Sequence, residues 1–173
     1  MLCGIVLAAL GCGRTDPGGV PDPELSTATG KPAPPAEGSL QCGQAFSATV
    51  GGGPMLKGNF PASAKLADRK ISGTVDVSSQ VAIRGVASPQ AEVFLVKDGR
   101  IVTLPPPSDA IGIRVELSPG QVTQLPGEAN LVACQDGRSL SAGTYQMYAR
   151  LVIMPDSGAK VEAIGGPWPV QVS

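Results

Sequence analysis

Cysteine is the residue type through which this chain is best equipped to do chemistry, because the sequence has four cysteines and no histidine. Without histidine it lacks the commonest general base and the most frequent zinc ligand. Cys42 and Cys134 fall in the part of the chain that we expect to fold. In an oxidising compartment they would form a disulfide, which the chain-entropy model credits with roughly 4 to 5 kcal/mol. Two buried thiols are the alternative, and the absence of a CxxC motif disfavours a redox pair.

The other two cysteines, Cys3 and Cys12, belong to an apolar stretch at the amino terminus. Residues 2–11 read LCGIVLAALG, and polar, Pro-rich sequence follows Cys12. As a helix this run would rise about 15 Å, half the thickness of a hydrocarbon core, so it predicts a signal peptide and not a permanent membrane span. No Lys or Arg precedes the run, and we therefore expect the start codon to lie upstream of Met1. A buried apolar segment of a cytoplasmic protein is the alternative.

The residues that end this stretch, Ala8-Ala9-Leu10-Gly11-Cys12, resemble a bacterial lipobox. The resemblance implies that residues 1–11 are removed as a signal peptide and that the Cys12 thiol carries a diacylglyceryl group. Acyl chains contribute about 0.8 kcal/mol per buried methylene, which suffices for a lasting anchor. We therefore expect an extracytoplasmic protein anchored to the membrane of the cell envelope by lipid. A signal peptide cut by another peptidase remains open.

Familiar catalytic and metal-binding motifs are absent from the sequence: it has no GxSxG, HExxH, P-loop or EF-hand loop. Asp98 and Asp136 each precede a glycine and predict turns, not calcium ligands. Glu92, Glu116 and Glu162 fall on the outward faces of predicted strands and give no reason to expect two carboxylates to converge. We expect no catalytic residue, no metal and no cofactor, and we rank an enzyme below the other function classes.

Two features are candidate binding elements. The segment Leu104-Pro-Pro-Pro-Ser-Asp109 predicts a rigid, exposed loop in which Pro105, Pro106 and Pro107 would suit partner docking or protease inhibition. A stiff connection between sheets is the alternative. Trp168, the only tryptophan, either packs across the core or stands exposed as a ligand anchor.

Composition and charge limit the kinds of partner and the domain organisation that the chain can have. The chain has 173 residues, and 13 basic residues against 14 acidic ones give a net charge of -1, which disfavours a nucleic-acid partner. Residues 12–40 comprise the lipidated cysteine and a linker rich in Pro and Gly, which we expect to be a disordered tether. Residues 41–173 are long enough for one domain.

The pattern from residue 41 onward predicts an all-β domain of about seven or eight strands, because short apolar runs of period two alternate with Gly, Pro, Asp and Ser. Asp98-Gly99 predicts a type I′ hairpin, and Pro169 predicts an edge position or a bulge in the last strand. The predicted strands cover residues 70–77, 91–97, 100–104, 111–117, 145–153, 160–164 and 168–172.

Gly143-Thr144-Tyr145, just before the strongest late strand, is similar to the entry of the penultimate strand in immunoglobulin-like domains of bacterial surface lipoproteins. The resemblance implies an antiparallel β-sandwich and a tyrosine corner, with the Tyr145 hydroxyl bonded back to the preceding loop. Leu117-Ser-Pro-Gly120 together with Leu140–Tyr145 is faintly similar to the bacterial intracellular proteinase inhibitor family.

These observations leave two main hypotheses for function. The first is a lipid-anchored binding or accessory module that has an unidentified envelope protein as its partner. The second is a proteinase inhibitor that uses the Pro-rich loop. The fold resemblance carries no activity with it.

Overall fold

The computed structural model describes residues 39–48, 53–108 and 111–173. These residues belong to the second of the two units into which the chain divides, Glu37–Ser173. The domain is all-β, as predicted, and its described residues contain one short 3-10 turn, Leu66–Asp68. Its strands are β1 Met55–Asn59, β2 Ser63–Ala64, β3 Lys70–Ser78, β4 Ile83–Ala87, β5 Ala91–Lys97, β6 Arg100–Ile101, β7 Ile113–Leu117, β8 Val122–Asn130, β9 Gly143–Pro155 and β10 Val161–Val172.

The strands form one curled sheet in the order β1-β3-β8-β5-β9-β10-β2, with β4 paired to β7 and β9, and β6 paired to β5. Pairing is antiparallel except for the short β5–β8 and β10–β2 contacts, which are parallel. Because the sheet curls, strands on opposite walls contribute inward side chains to a shared core. The sequence did not predict β1, β2, β4 or β8. No helix within the described ranges is long and apolar enough to cross a membrane.

The period-two pattern determines which side chains enter the main core. In β9, every second residue from Tyr145 to Ile153 is buried, while the intervening residues face outward. In β3 the same alternation buries Ile71, Val75 and Val77. The pattern therefore predicted the inward faces of these two strands correctly.

Strand β5 differs, because both of its faces are buried. Ala91, Val93 and Leu95 enter the main core, whereas Phe94 and Val96 form a second cluster with Ile101 on the outer face. Residues 40–46, which we call the strap, lie over this second cluster. The ring of Phe46 in the strap makes edge contacts with the rings of Phe94, at 5.0 Å, and Tyr148, at 4.7 Å between centroids.

A disulfide fastens the strap to the domain. Cys42 and Cys134 are 92 positions apart in sequence, and their Cα atoms are 5.7 Å apart. The backbone N–H of Cys134 also donates to the carbonyl oxygen of Val102 at 2.9 Å, which ties the loop carrying Cys134 to the end of the β5–β6 hairpin. The predicted disulfide is confirmed.

Three local predictions are also confirmed. Asp98 and Gly99 connect β5 to β6 with φ angles of 49° and 71°, both positive as a type I′ turn requires. The Tyr145 hydroxyl is bonded back to the loop before β9, forming the expected tyrosine corner. The register of β9 and β10 shifts between Gly165 and Trp168, so an irregularity directly precedes Pro169.

Candidate functional site

A groove lies beside the Pro-rich loop that follows β6. Its volume is about 390 Å³. We call it the proline groove. Its lining combines apolar and polar side chains from the strap and the residue before it, from β5 and the residue before it, from β9 and from the loop: Ser39, Leu40, Gln90, Glu92, Leu104, Pro105, Pro106, Pro107, Ser108 and Arg150. The three prolines predicted as a candidate binding element therefore form one wall of a real concavity.

Hydrogen bonds to neighbouring strands hold the start of this wall. The side-chain oxygen of Thr103, a fully buried residue, accepts a 2.9 Å hydrogen bond from the backbone N–H of Leu95. The side-chain amide of Asn130 donates to the carbonyl oxygen of Leu104 at 3.2 Å. The loop thus leaves the sheet from a fixed position.

The prolines make the wall stiff and leave it without donors. Each proline ring fixes φ near -65° and removes the backbone N–H. Pro105 and Pro106 are half-buried, and Pro107 is exposed. The loop is therefore less exposed than the sequence predicted, because its first two prolines face the groove. The proteinase-inhibitor hypothesis, which depends on this loop, stays a prediction.

Two charged residues of adjacent strands, Arg150 and Glu92, line the groove, and their ion-pair network continues away from it to β10. Arg150 of β9 has a side chain only 11% exposed, and it donates to Glu92 of β5 at 3.2 Å through Nη1. Its Nε donates to Glu162 of β10 at 2.9 Å. The ammonium of Lys160 lies 3.3 Å from the other oxygen of Glu162. Two cations and two carboxylates form this network, so its formal charge is zero.

The network favours the ionised form of Glu162. Burial alone would raise the pKa of this carboxyl group, but the hydrogen bonds and charges of Arg150 and Lys160 outweigh it and lower the pKa below its ordinary value of 4.5. A general acid needs a raised pKa, so Glu162 is unsuited to that role at neutral pH. The groove itself combines apolar walls with the charged groups of Arg150 and Glu92.

The sequence did not predict that Glu92 and Glu162 would share a partner. The sheet register brings them together, because Arg150 pairs directly with Glu92 on one side and with Ile164 on the other, close to Glu162. The outward phase of Arg150 in its strand was visible in the sequence. The identity of the neighbouring strands was not.

Trp168 lies elsewhere and packs against other aromatic and apolar groups. Its ring is half-buried, 6.0 Å from the ring of Phe60, and it lies over Gly58 of β1. It adjoins the main core and does not line the proline groove. The structure therefore gives Trp168 the packing role, and a role in ligand binding stays a prediction.

A second concavity, of about 520 Å³, lies between the β3–β4 turn and the β9–β10 hairpin. Val81, Ile83 and Pro155 give it a mostly apolar lining, and Arg84 and Asp156 lie at its rim. None of the residues predicted as binding elements lines it.

The remaining site predictions concern lipid and metal. Cys12, the predicted lipid attachment residue, lies outside the described residues, as does most of the predicted tether. Within the described ranges, no three Cys, Asp or Glu residues group together in a way that could hold a metal ion.

Comparisons with known proteins give no family for this chain, since no family model and no curated protein matches it. Similar solved structures include a β-glucosidase from Listeria innocua in complex with glucose, at 17% identity, and in complex with isofagomine, at 15%. A β-glucosidase from Erythrobacter marinus is 16% identical. Each match has a TM-score of 0.34 and covers 68% or 69% of this chain. The chain spans only 15% or 16% of the length of these structures, and a similarity this low carries no argument about function.

Proposed function

We propose that this chain is a non-catalytic binding or accessory module of the bacterial cell envelope, held outside the cytoplasm by a lipid on Cys12. The Cys42–Cys134 disulfide is the observation that carries the proposal. Disulfides persist in oxidising compartments and are rare in the cytosol. An extracytoplasmic location in turn agrees with the lipobox-like residues that precede Cys12.

The proline groove is the proposed binding element. A surface of fixed shape binds a partner at lower entropic cost, and the prolines and the disulfide-fastened strap contribute stiff parts of this groove's lining. Glu92, the acidic residue that lines the groove, is engaged by Arg150, which supports recognition over acid–base chemistry.

The anchor is tested first, on protein recovered from the membrane fraction of its native cell. We expect the amino-terminal peptide to begin at Cys12 and to carry diacylglycerol. The Cys12→Ala variant should lose the lipid, whereas Cys42→Ser should keep it because Cys42 is assigned to the disulfide. An unmodified peptide that starts at or before Met1, in a soluble extract, would refute the proposed location.

The groove is tested in the same cells with a photo-crosslinking amino acid. Placed at the exposed Pro107, it should give a discrete crosslinked product in the membrane fraction. Placed at Lys57, an exposed residue of β1 that does not line the groove, it should not. Equal crosslinking from both positions, or none from Pro107, would contradict binding in the groove.

A further inference from the structure

Strand β7 is an edge strand of the sheet among the residues that the structure describes. It pairs with β4 along all five of its residues, and in the part of the chain that the structure describes it pairs with no other strand. An edge strand offers a row of backbone N–H and C=O groups to any extended segment that reaches it. No proline and no bulge interrupts β7, which has the sequence IRVEL and an unbroken register with β4. The charged side chains on this edge are those of Arg114 and Glu116.

The charges on β7 are arranged so that the strand is complementary to itself. Arg114 and Glu116 face outward with side chains 60% and 62% exposed, and the buried Val115 lies between them. If two copies of β7 pair antiparallel about Val115, Arg114 of each copy lies opposite Glu116 of the other. Opposite charges directly across a strand pair are stabilising, and like charges are destabilising. A parallel, in-register pair would place like charges together, so the pattern selects the antiparallel arrangement.

Neighbouring strands already hold these two side chains in place. Arg114 makes two hydrogen bonds to the carboxylate of Asp156, at 2.7 and 3.2 Å, from across β4. Glu116 lies opposite Arg84 of β4, with 3.9 Å between the charged atoms. Guanidinium groups have five N–H donors, so Arg114 keeps donors for a second carboxylate. Pairing two copies would therefore extend an existing row of alternating charges.

An exposed apolar side chain next to the edge points to the same arrangement. Ile111 is 77% exposed, and Ile113, at the start of β7, is also partly exposed. In the antiparallel register, Ile113 would lie opposite Leu117 of the second copy, which would cover part of its exposed surface. Burying this apolar area would add to the free energy of pairing.

We propose that two copies of this chain associate through β7, antiparallel and centred on Val115, with Arg114 of each copy paired to Glu116 of the other. Such a contact is a closed two-fold interface, in which the same surface of both copies is used.

Charge reversal tests the proposal on the full chain, purified in detergent and followed by sedimentation velocity against concentration. The wild type should dimerise reversibly. Arg114→Glu and Glu116→Arg should each weaken association roughly 10-fold or more, because each turns two attractive pairs into repulsive ones. An equimolar mixture of the two variants should form a mixed dimer, since every facing pair is then of opposite charge. The double variant R114E/E116R should dimerise like the wild type.

Arg138→Glu serves as the matched control, because it makes the same change of charge at an exposed loop residue away from β7. It should leave dimerisation unchanged. Circular dichroism checks that each variant is folded, and the mixed dimer gives a result that misfolding cannot imitate. A wild type that stays monomeric up to about 1 mM, at the weak end of specific affinities, or two variants that fail to associate when mixed, would overturn the proposal.

Discussion

The hydroxyl of Tyr145 donates a 2.7 Å hydrogen bond to the carbonyl oxygen of Ser141, four residues earlier in the chain. The ring of Tyr145 is buried at the beginning of β9, and the ammonium of Lys97 lies 4.9 Å from its centroid. Ser141 belongs to the loop that leads into β9. The bond therefore joins this loop to the first inward residue of the strand.

Replacing Tyr145 with Phe should lower the free energy of unfolding by about 1 kcal/mol, because the change removes a part-buried hydrogen bond and leaves the ring in place. Urea denaturation measures the loss. Tyr148→Phe is the matched control, since the hydroxyl of Tyr148 makes no hydrogen bond within the described residues while its ring packs on Phe46 and Phe94. Equal losses in the two variants would contradict the role of the corner.

Strand β9 could be predicted because one of its faces lies on the main core, and period-two alternation records such a face directly. Strand β8, Val122–Asn130, was missed because Pro126-Gly127 in its middle is typical of a turn. Pro126 pairs with β3 on one side of β8. On the other side, β8 begins to pair with β5 only at Gly127, so the missing N–H of Pro126 is tolerated there. Such a position depends on the neighbouring strand, which the local sequence does not specify.

The sequence likewise predicted one part of the candidate site and missed another. The Pro-rich loop and the two cysteines were predictable, because proline and cysteine act through their own covalent chemistry. The contact of Arg150 with Glu92 and Glu162 joins residues far apart in the chain, and it depends on the register of three strands. The burial of the outer face of β5 was missed for a similar reason, since the strap that covers it lies about 50 residues earlier in the sequence.

Removing the disulfide should destabilise the domain through the strap. The double variant C42S/C134S should lose about 2 to 5 kcal/mol of unfolding free energy and unfold roughly 10 °C lower or more. Differential scanning calorimetry with and without dithiothreitol measures this. Reduction should lower the melting temperature of the wild type toward that of the variant and leave the variant unchanged. A wild-type melting temperature insensitive to dithiothreitol would show that the strap holds without the covalent bond.

Stability should fall at acid pH in a way that depends on Glu162. Its pKa is lowered in the folded state, so the folded state binds fewer protons than the unfolded state near that pKa. Its contribution is therefore complete above the ordinary value of 4.5 and is lost as the pH falls through the folded pKa. In urea denaturation between about pH 3 and pH 7, the unfolding free energy of Glu162→Gln should fall less steeply toward acid pH than that of the wild type.

Two comparisons make the acid-pH experiment specific. The Glu162→Gln variant should still lose some stability toward acid pH, because side-chain hydrogen bonds from Asn59 and Gln124 also lower the pKa of Asp76. Asp136→Asn is the control, since Asp136 is an exposed residue outside the Arg150 network. The unfolding free energy of Asp136→Asn should fall toward acid pH as steeply as that of the wild type. If Glu162→Gln and Asp136→Asn change this pH dependence equally, the Arg150 network is not its cause.

The contact between Gly58 and Trp168 gives the last prediction. A Cβ atom at position 58 would come within 2.7 to 2.8 Å of three atoms of the indole, so Gly58→Ala must displace the ring where β1 approaches β10. Overpacking of this kind costs about 1 to 3 kcal/mol. The exposed neighbour Lys57→Ala should change stability little. Trp168→Phe should relieve the clash because its ring is smaller, so the combined variant G58A/W168F should lose less than the sum of the single changes in urea denaturation. Strict additivity would mean that the two residues do not press on each other in solution.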